Sequence, residues 1–288
     1  MSARWVVFTD LDATLLEART YSFEAARPAL AELRRRGIPL VPCSSKTAAE
    51  ILHVQALLGF PDPFVPEDGA AVGAPRGYFD ERAAPWEDRG TYALLPLSCG
   101  RERILEAFAE LKRRTGGAVR GFSDMTPEEV ARETNLPLEL ARLAARREFD
   151  EPFRFLADEE RHAAGLAAWA ASRGLRITRG GRYWHLHGAT DKGRAVRLLR
   201  ELFERKLGPI RTLGLGDSPN DLPLLSAVDV PVAVRKPDGS FDPELAAQVP
   251  GLRRADGAGP EGWNRAVLEV LGEERRGPAS RDASGPRA

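Results

Sequence analysis

Cysteine occurs only twice in the 288 residues, at Cys43 and Cys99, which excludes a disulfide framework and a C-x-x-C redox pair. Histidine is almost as scarce, with four in the whole chain, so a zinc centre built on imidazoles has little to draw on. No apolar run approaches the ~18 residues that a bilayer-spanning helix needs, and the first residues lack the apolar core of a leader peptide. The expected location is therefore the cytoplasm, with no membrane partner. Charge of neither sign predominates, since 42 Lys and Arg face 42 Asp and Glu, and no basic field for a nucleic-acid partner is expected. No G-x-x-x-x-G-K-[ST] loop is found and GLGDSPND lacks the G-x-G-x-x-G spacing, which argues against an ATP-dependent kinase.

What is present reads as alternating α/β structure. RWVVF at Arg4–Phe8 is a short buried-strand run, followed at once by TDLDATLL. Helical spacing over Ser22–Arg36 stops before Gly37, IPLVPC from Ile38 reads as the next strand, and AAEILHVQALLG as the next helix. Strand, turn and helix in succession predict a parallel sheet with right-handed crossovers, a Rossmann-like core. After FVPEDGAAV the pattern changes to turn-rich sequence, then helices over Arg101–Thr115, Thr126–Leu136, Leu138–Glu148 and Asp158–Arg173, with strands at Phe153–Leu156 and Leu175–Thr178. LRITRGGRYWHLHG predicts a hairpin turning at Gly180–Gly181. Parallel-sheet patterning resumes with TDKGRAVRLLRELFERK and RTLGLGD, and Val228–Val234 predicts a further strand interrupted at Pro231. The expected organisation is core over 1–82, an inserted α+β unit over 83–187, core again over 188–273, and a mobile tail over 274–288.

The chemistry-bearing residues fall at the expected strand ends. DLDAT places Asp10 and Asp12 around a turn, and GDSPND supplies Asp217 and Asp221 from a second strand end. Either motif alone is an ordinary polar turn. Together they make an oxygen-rich site suited to Mg2+, with Asp10, Asp12, Asp217 and Asp221 as the metal-binding set. Asp10, the first carboxylate after the strand, is the expected nucleophile, and Asp12 the acid that protonates a leaving oxygen and later activates water. Ser44 stands where a hydroxyl and helix-terminal N–H groups hold a phosphate, although a plain N-cap is the alternative reading. Lys192 at the start of a helix carries an ammonium that offsets the repulsion between phosphate and Asp10. Ser45 and Asn220 are further positioning candidates.

The ordered set D10-L11-D12-A13-T14, S44-S45-K46-T47, D191-K192-G193 and G216-D217-S218-P219-N220-D221 resembles the haloacid dehalogenase-like phosphatase superfamily. That resemblance implies Asp10 as nucleophile, Asp12 as acid/base, Ser44 and Lys192 on phosphate, and Asp217 with the backbone oxygen of Asp12 on Mg2+. It also implies that the insertion is a type C2 cap. CSSKTAAEI, PEDGAAV and GGRYWHLHGATDKG carry a narrower resemblance, to the mannosyl-3-phosphoglycerate phosphatase family. PEDG departs from the superfamily's more general pattern, which has Asn before the Gly, so Asp68 bears on the subgroup. The implied partner is a phosphorylated sugar-glycerate metabolite, and the implied reaction releases inorganic phosphate.

Selection among phosphate esters then falls to the insertion and its neighbours. Lys46 is a candidate for a distal anion of the substrate. Arg179, Arg182 and Tyr183 at the glycine hairpin are candidates for a carboxylate or hydroxyls. Strand alternation puts Tyr183, His185 and His187 on one face and Arg182, Trp184 and Leu186 on the other. Trp184 reads as a core aromatic, and the histidines as packing or hydroxyl-binding groups.

Overall fold

The computed structural model describes residues 4–179 and 183–276. Arg182, the Gly180–Gly181 turn and the tail from 277 lie outside the described residues. In chain order the elements are β1 (Arg4–Thr9), α1 (Arg27–Arg36), β2 (Leu40–Pro42) and α2 (Ala48–Leu58); then β3 (Ala71–Pro75), β4 (Glu87–Asp88) and β5 (Tyr92–Pro96). Next come α3 (Arg101–Arg114), β6 (Val119–Gly121), α4 (Pro127–Thr134), α5 (Leu138–Ala144) and β7 (Asp150–Phe155). After these follow α6 (Glu159–Ala163), α7 (Leu166–Ala171), β8 (Leu175–Arg179) and β9 (Trp184–Gly188). The chain finishes with α8 (Lys192–Leu207), β10 (Ile210–Gly216), α9 (Leu222–Leu225), β11 (Val230–Arg235), α10 (Pro243–Gln248), β12 (Arg253–Ala258) and α11 (Gly259–Arg276).

The five-stranded sheet runs β12-β11-β10-β1-β2, all parallel. β1 is buried on both faces, which explains its unbroken apolar run. Trp5 and Val7 pack with Leu33, Ile51, Leu213 and Trp263, whereas Val6 and Phe8 pack with Val196, Leu199 and Phe203 on the opposite face. β1 and β10 are neighbours in register from Arg4↔Ile210 to Thr9↔Leu215, so their carboxyl ends stop side by side. This adjacency brings Asp10 and Asp217 together although 206 residues separate them in sequence (217 − 10 − 1). Pro231 lies within β11, yet β12 pairs with β11 only from Val232 onward, so the strand is still on an edge at that residue.

A second, four-stranded antiparallel sheet, β6-β7-β9-β8, is inserted between the halves of the core. Its helix-covered face contributes Phe153, Leu175 and Leu186 to a separate apolar cluster with Phe108 of α3 and Trp169 of α7. The third sheet, β3-β5-β4, departs from the expected division at 82/83. Phe79, Trp86, Leu95 and Leu97 pack on the core cluster, so core packing continues past residue 83. Its short strands are rich in Ala, Pro and Gly, a composition that masks strand patterning.

Other departures have local causes. α1 begins at Arg27 instead of Ser22, because Pro28 fits only a first helical turn and a 3-10 turn over Glu24–Ala26 leads into it. The helix expected over Asp158–Arg173 divides at Ala164 and Gly165, where Gly165 takes φ +74°. α11 runs to Arg276, past the boundary expected at 274.

The core also fixes the backbone at Asp10. The fully buried Trp263 of α11 donates from Nε1 to Thr9 Oγ1 at 2.9 Å, and that hydroxyl donates to Asp10 O at 2.7 Å. Trp263→Phe removes the indole donor together with part of the ring that fills this buried site. It is expected to lower unfolding free energy by about 1–3 kcal/mol. Urea unfolding measures this, and an unchanged midpoint would show that the bond contributes nothing.

Candidate active site

Lys192 is the first residue of α8, behind Asp191, whose side chain caps the helix by accepting from Arg194 N. Its side chain is 0% exposed, and Nζ donates to Asp10 Oδ1 at 2.8 Å and to Asp221 Oδ1 at 2.7 Å, with Asp68 Oδ1 at 3.8 Å. Although burial opposes its charge, Asp10, Asp221 and Asp68 hold the ammonium well above the ordinary lysine range. Burial pushes the Asp10 carboxyl well up, against the pull of Lys192 and with the help of Asp221 and Asp217. Asp10 is thus paired but charge-crowded.

Asp217 accepts from Thr14 Oγ1 at 3.1 Å, a role for the last residue of DLDAT that the sequence did not single out. Asp221 Oδ2 accepts the backbone N–H of Asp217 and Ser218, so Asp221 both folds the GDSPND turn and holds Lys192. Carboxylate oxygens of Asp10, Asp217 and Asp221 lie within 4.8 Å of one another, all three residues being buried. Three buried carboxylates facing one lysine leave a negative excess, and an oxygen-only donor set suits Mg2+. The residues present therefore fit the metal that the sequence implied. Asp12 stands apart from this cluster: Oδ2 pairs with Lys46 Nζ at 3.0 Å.

Ser44 is buried beyond β2, and the backbone around it is pinned by Cys43 N to Thr9 O at 2.7 Å and Ser44 N to Val65 O at 2.9 Å. The N-cap reading of Ser44 fails, because α2 is capped by Thr47 in a capping box with Glu50. Asn220 Nδ2 donates to Asp68 Oδ1 at 3.1 Å, which places Asp68 beside Lys192 at the floor of the site. Ser45 offers its backbone oxygen to Arg147 Nη1 at 2.7 Å. Cys43 is buried and its thiol pushed far up by burial, consistent with a packing role.

The sheet of the insertion turns its other face to the core. His185 Nδ1 lies 2.8 Å from Asp150 Oδ2, and Asp150 also pairs with Arg147 at 3.2 Å. Although burial opposes its charge, Asp150 holds His185 above the ordinary imidazole range. Glu67 of PEDG joins this junction by accepting the N–H of Glu148 at 3.0 Å and of Phe149 at 2.8 Å. Glu67, Arg147 and Asp150 were not singled out by sequence, since nothing local marks their pairing. Arg179 is exposed, pairs with Glu159 at 2.9 Å and lies over Trp184, and no described contact brings it to Asp10, Asp217 or Asp221. Tyr183 packs edge-on against Phe122.

Residues 7–82 match the family model described as haloacid dehalogenase-like hydrolase. The chain is 40% identical to a glucosyl-3-phosphoglycerate/mannosyl-3-phosphoglycerate phosphatase of Methanococcoides burtonii, covering 93% of this chain and 97% of that protein. It is 39% identical to the protein of the same name from Persephonella marina, over 94% of this chain and 99% of that one. The chain belongs to the haloacid dehalogenase-like phosphatase family. Within it, this enzyme is a phosphoric monoester hydrolase of the mannosyl-3-phosphoglycerate phosphatase-like group. The fold agrees: a haloacid dehalogenase superfamily phosphatase from Bacteroides thetaiotaomicron superposes with TM-score 0.64 at 20% identity, over 94% of this chain and 96% of that one. Among the described residues, no helix is long and apolar enough to cross a membrane.

The crowded carboxylates of this phosphatase site make a pH prediction. Burial, with Asp221, pushes Asp217 up to about 6 from the ordinary 3.8. A carboxyl raised in the folded state binds its proton more tightly there than in the unfolded chain. Its contribution to stability is therefore full below about pH 4 and lost as pH rises through about 6. With divalent metal chelated, the wild type should lose on the order of 2–3 kcal/mol more than Asp217→Asn across that window. Denaturant titrations at each pH check this, and parallel slopes would contradict it.

Proposed function

We propose that this phosphatase hydrolyses mannosyl-3-phosphoglycerate to mannosylglycerate and inorganic phosphate, with the glucosyl ester as a second substrate. One observation carries the substrate: relatives bearing both activities in their names match across 93–94% of the chain, insertion included as well as core. The buried Asp10–Lys192 pair carries the chemistry.

In this reading Asp10 attacks phosphorus and becomes an aspartyl phosphate, while the leaving oxygen takes a proton from Asp12. Water then attacks the phosphoryl group as Asp12 recovers a proton, which frees phosphate and restores the Asp10 carboxylate. Lys192 holds Asp10 in place and faces the phosphoryl charge from 2.8 Å behind the nucleophile. Ser44, buried at the end of β2, binds a phosphoryl oxygen. Asp10 and Asp217, with the backbone oxygen of Asp12, would hold Mg2+, and Asp221 would support it while retaining Lys192. The ion supplies charge neutralisation for the phosphoryl oxygens when bound.

The inserted sheet is the substrate-specificity cap. Asp150 and His185 on its inward face, with Arg147 just before β7, are suited to a leaving group rich in hydroxyls and bearing a carboxylate. They sit beside the phosphate loop, as Arg147 donates to Ser45 O. These three replace the exposed Arg179 as the favoured specificity groups, and Asp68 borders the same space through Asn220 and Lys192.

Phosphate release from mannosyl-3-phosphoglycerate, glucosyl-3-phosphoglycerate, sucrose phosphate, trehalose phosphate and simple sugar phosphates, with Mg2+ and with chelator, tests the proposal. The first two esters are expected to exceed the others in kcat/KM by about 100-fold or more, a discrimination that polar leaving-group contacts can supply. Chelator is expected to abolish all turnover. Preference for sucrose or trehalose phosphate would overturn the substrate while leaving the chemistry, and undiminished turnover in chelator would overturn the metal.

A further inference from the structure

Lys46 does not stand as a loose cation awaiting a distal part of the substrate. Its side chain is only 12% exposed, and Nζ lies 3.0 Å from Asp12 Oδ2, 3.9 Å from Glu50 Oε1 and 4.8 Å from the centre of the Tyr21 ring. Glu50 is largely committed elsewhere, because its Oε2 accepts from both Thr47 N and Thr47 Oγ1. Tyr21 reaches the ammonium from a left-handed backbone, φ 56°, an uncommon and costly conformation for an aromatic residue. Asp12 is therefore the principal partner of this lysine, and Tyr21 and Glu50 confine the ammonium against it.

The other oxygen of Asp12 behaves differently. Oδ1 is shielded from solvent and has no hydrogen-bond partner among the described residues. Leaving such a group unpaired costs about 1–3 kcal/mol, which a ligand placed against it would recover. One oxygen of the carboxyl is thus clamped and the other is unpaired.

We propose that Lys46 is the positioning residue for proton transfer: by fixing Asp12 Oδ2 it aims Asp12 Oδ1 at the leaving-group oxygen. This rests on Asp12 being the acid/base of the reaction described above. As an Asp10 oxygen forms its bond to phosphorus, the bond from phosphorus to the leaving oxygen breaks, and its electron pair goes to that oxygen. The oxygen takes the proton carried on Asp12 Oδ1, and Asp12 is left as a carboxylate. In the second half, attacking water gives its proton to Asp12, the bond from phosphorus to Asp10 breaks with its electrons returning to Asp10, and inorganic phosphate leaves. Lys46 moves no proton in either half. It limits the rotation of the group that does, for an alcohol leaving group of any shape.

The test compares wild type, Lys46→Met and Lys46→Arg in Mg2+ by the single-turnover rate of leaving-group release, which isolates the first half of the reaction, on three probes: mannosyl-3-phosphoglycerate, a sugar phosphate without a carboxylate, and p-nitrophenyl phosphate. The nitrophenolate leaves without needing a proton, whereas the two alkoxides need one. Lys46→Met is expected to lower that rate about 10–100-fold on both alkyl phosphates, part of the range typical of general acid catalysis. KM on these, and the single-turnover release of nitrophenolate, should change less than about threefold, which also shows that the variant is folded. Lys46→Arg should restore most of the loss. A rise in KM confined to the carboxylated substrate would overturn the proposal in favour of distal-anion binding. Equal losses on all three probes, or none on any, would overturn it too. Asp12→Asn in the same series separates the two levels: it should show the same leaving-group pattern, larger. If Asp12→Asn shows no such pattern, the acid/base reading of Asp12 has failed, and the proposal for Lys46 falls with it.

Discussion

The structure is organised around a lysine with no access to water. Lys192 donates to Asp10 and Asp221 at 2.8 and 2.7 Å in a fully buried setting. Desolvating such charges costs several kcal/mol per ion, so the pairing persists only where packing leaves no alternative. The backbone shows how closely that packing is drawn. A Cβ at Gly69, which has φ +93°, would lie 2.1 Å from Asp191 O, and one at Gly193 would lie 2.3 Å from Pro223 O. These glycines let the PEDG turn and α9 close on the start of α8 from two sides. The lysine, its two carboxylates and the ends of β1 and β10 then form one packed unit, and the proposed attack by Asp10 would draw on that fixed placement.

The insertion is tied to the same unit. Glu67 and Asp68 both take left-handed conformations, φ 46° and 53°, in a turn whose N–H groups bond back to Lys46 O and Ser44 O. From that turn the Glu67 carboxyl reaches up to the amides of Glu148 and Phe149, while Asp68 reaches down to Lys192 and Asn220. Burial pushes Glu67 up to about 7, against Arg147, so this junction between core and insertion carries a group that titrates near neutrality. The strained PEDG turn thus contacts Lys192, the Ser44–Lys46 segment and the insertion at once.

Much of this was legible in the sequence because strand ends announce themselves. The strands RWVVFT and IRTLGLG each stop at an aspartate, and side-by-side parallel strands must then gather those aspartates. Lys192 was legible from its place at a helix start after the insertion. Partner choice was not. Thr47, not Ser44, caps α2, since both hydroxyls precede the helix and only the reciprocal bond from Glu50 decides between them. Lys46 turned to Asp12 because the chain between them folds back, a contact across 34 residues (46 − 12) that no local pattern encodes. Arg179 looked available as a guanidinium on a hairpin, yet Glu159 and Trp184 of its own sheet region occupy it. The Glu67 clasp and the Arg147–Asp150–His185 chain depend on the insertion's seat, a tertiary relation throughout.

The central claim is that Asp10 becomes covalently phosphorylated. Rapid acid quench during turnover of mannosyl-3-phosphoglycerate, followed by borohydride reduction and peptide mass analysis, tests it directly. Reduction of an acyl phosphate converts the aspartate to homoserine, and the account predicts that residue at position 10 only when substrate and Mg2+ are both present. Unmodified Asp10 at a time when phosphate is being released, with the reduced product at another carboxylate or at none, would contradict it.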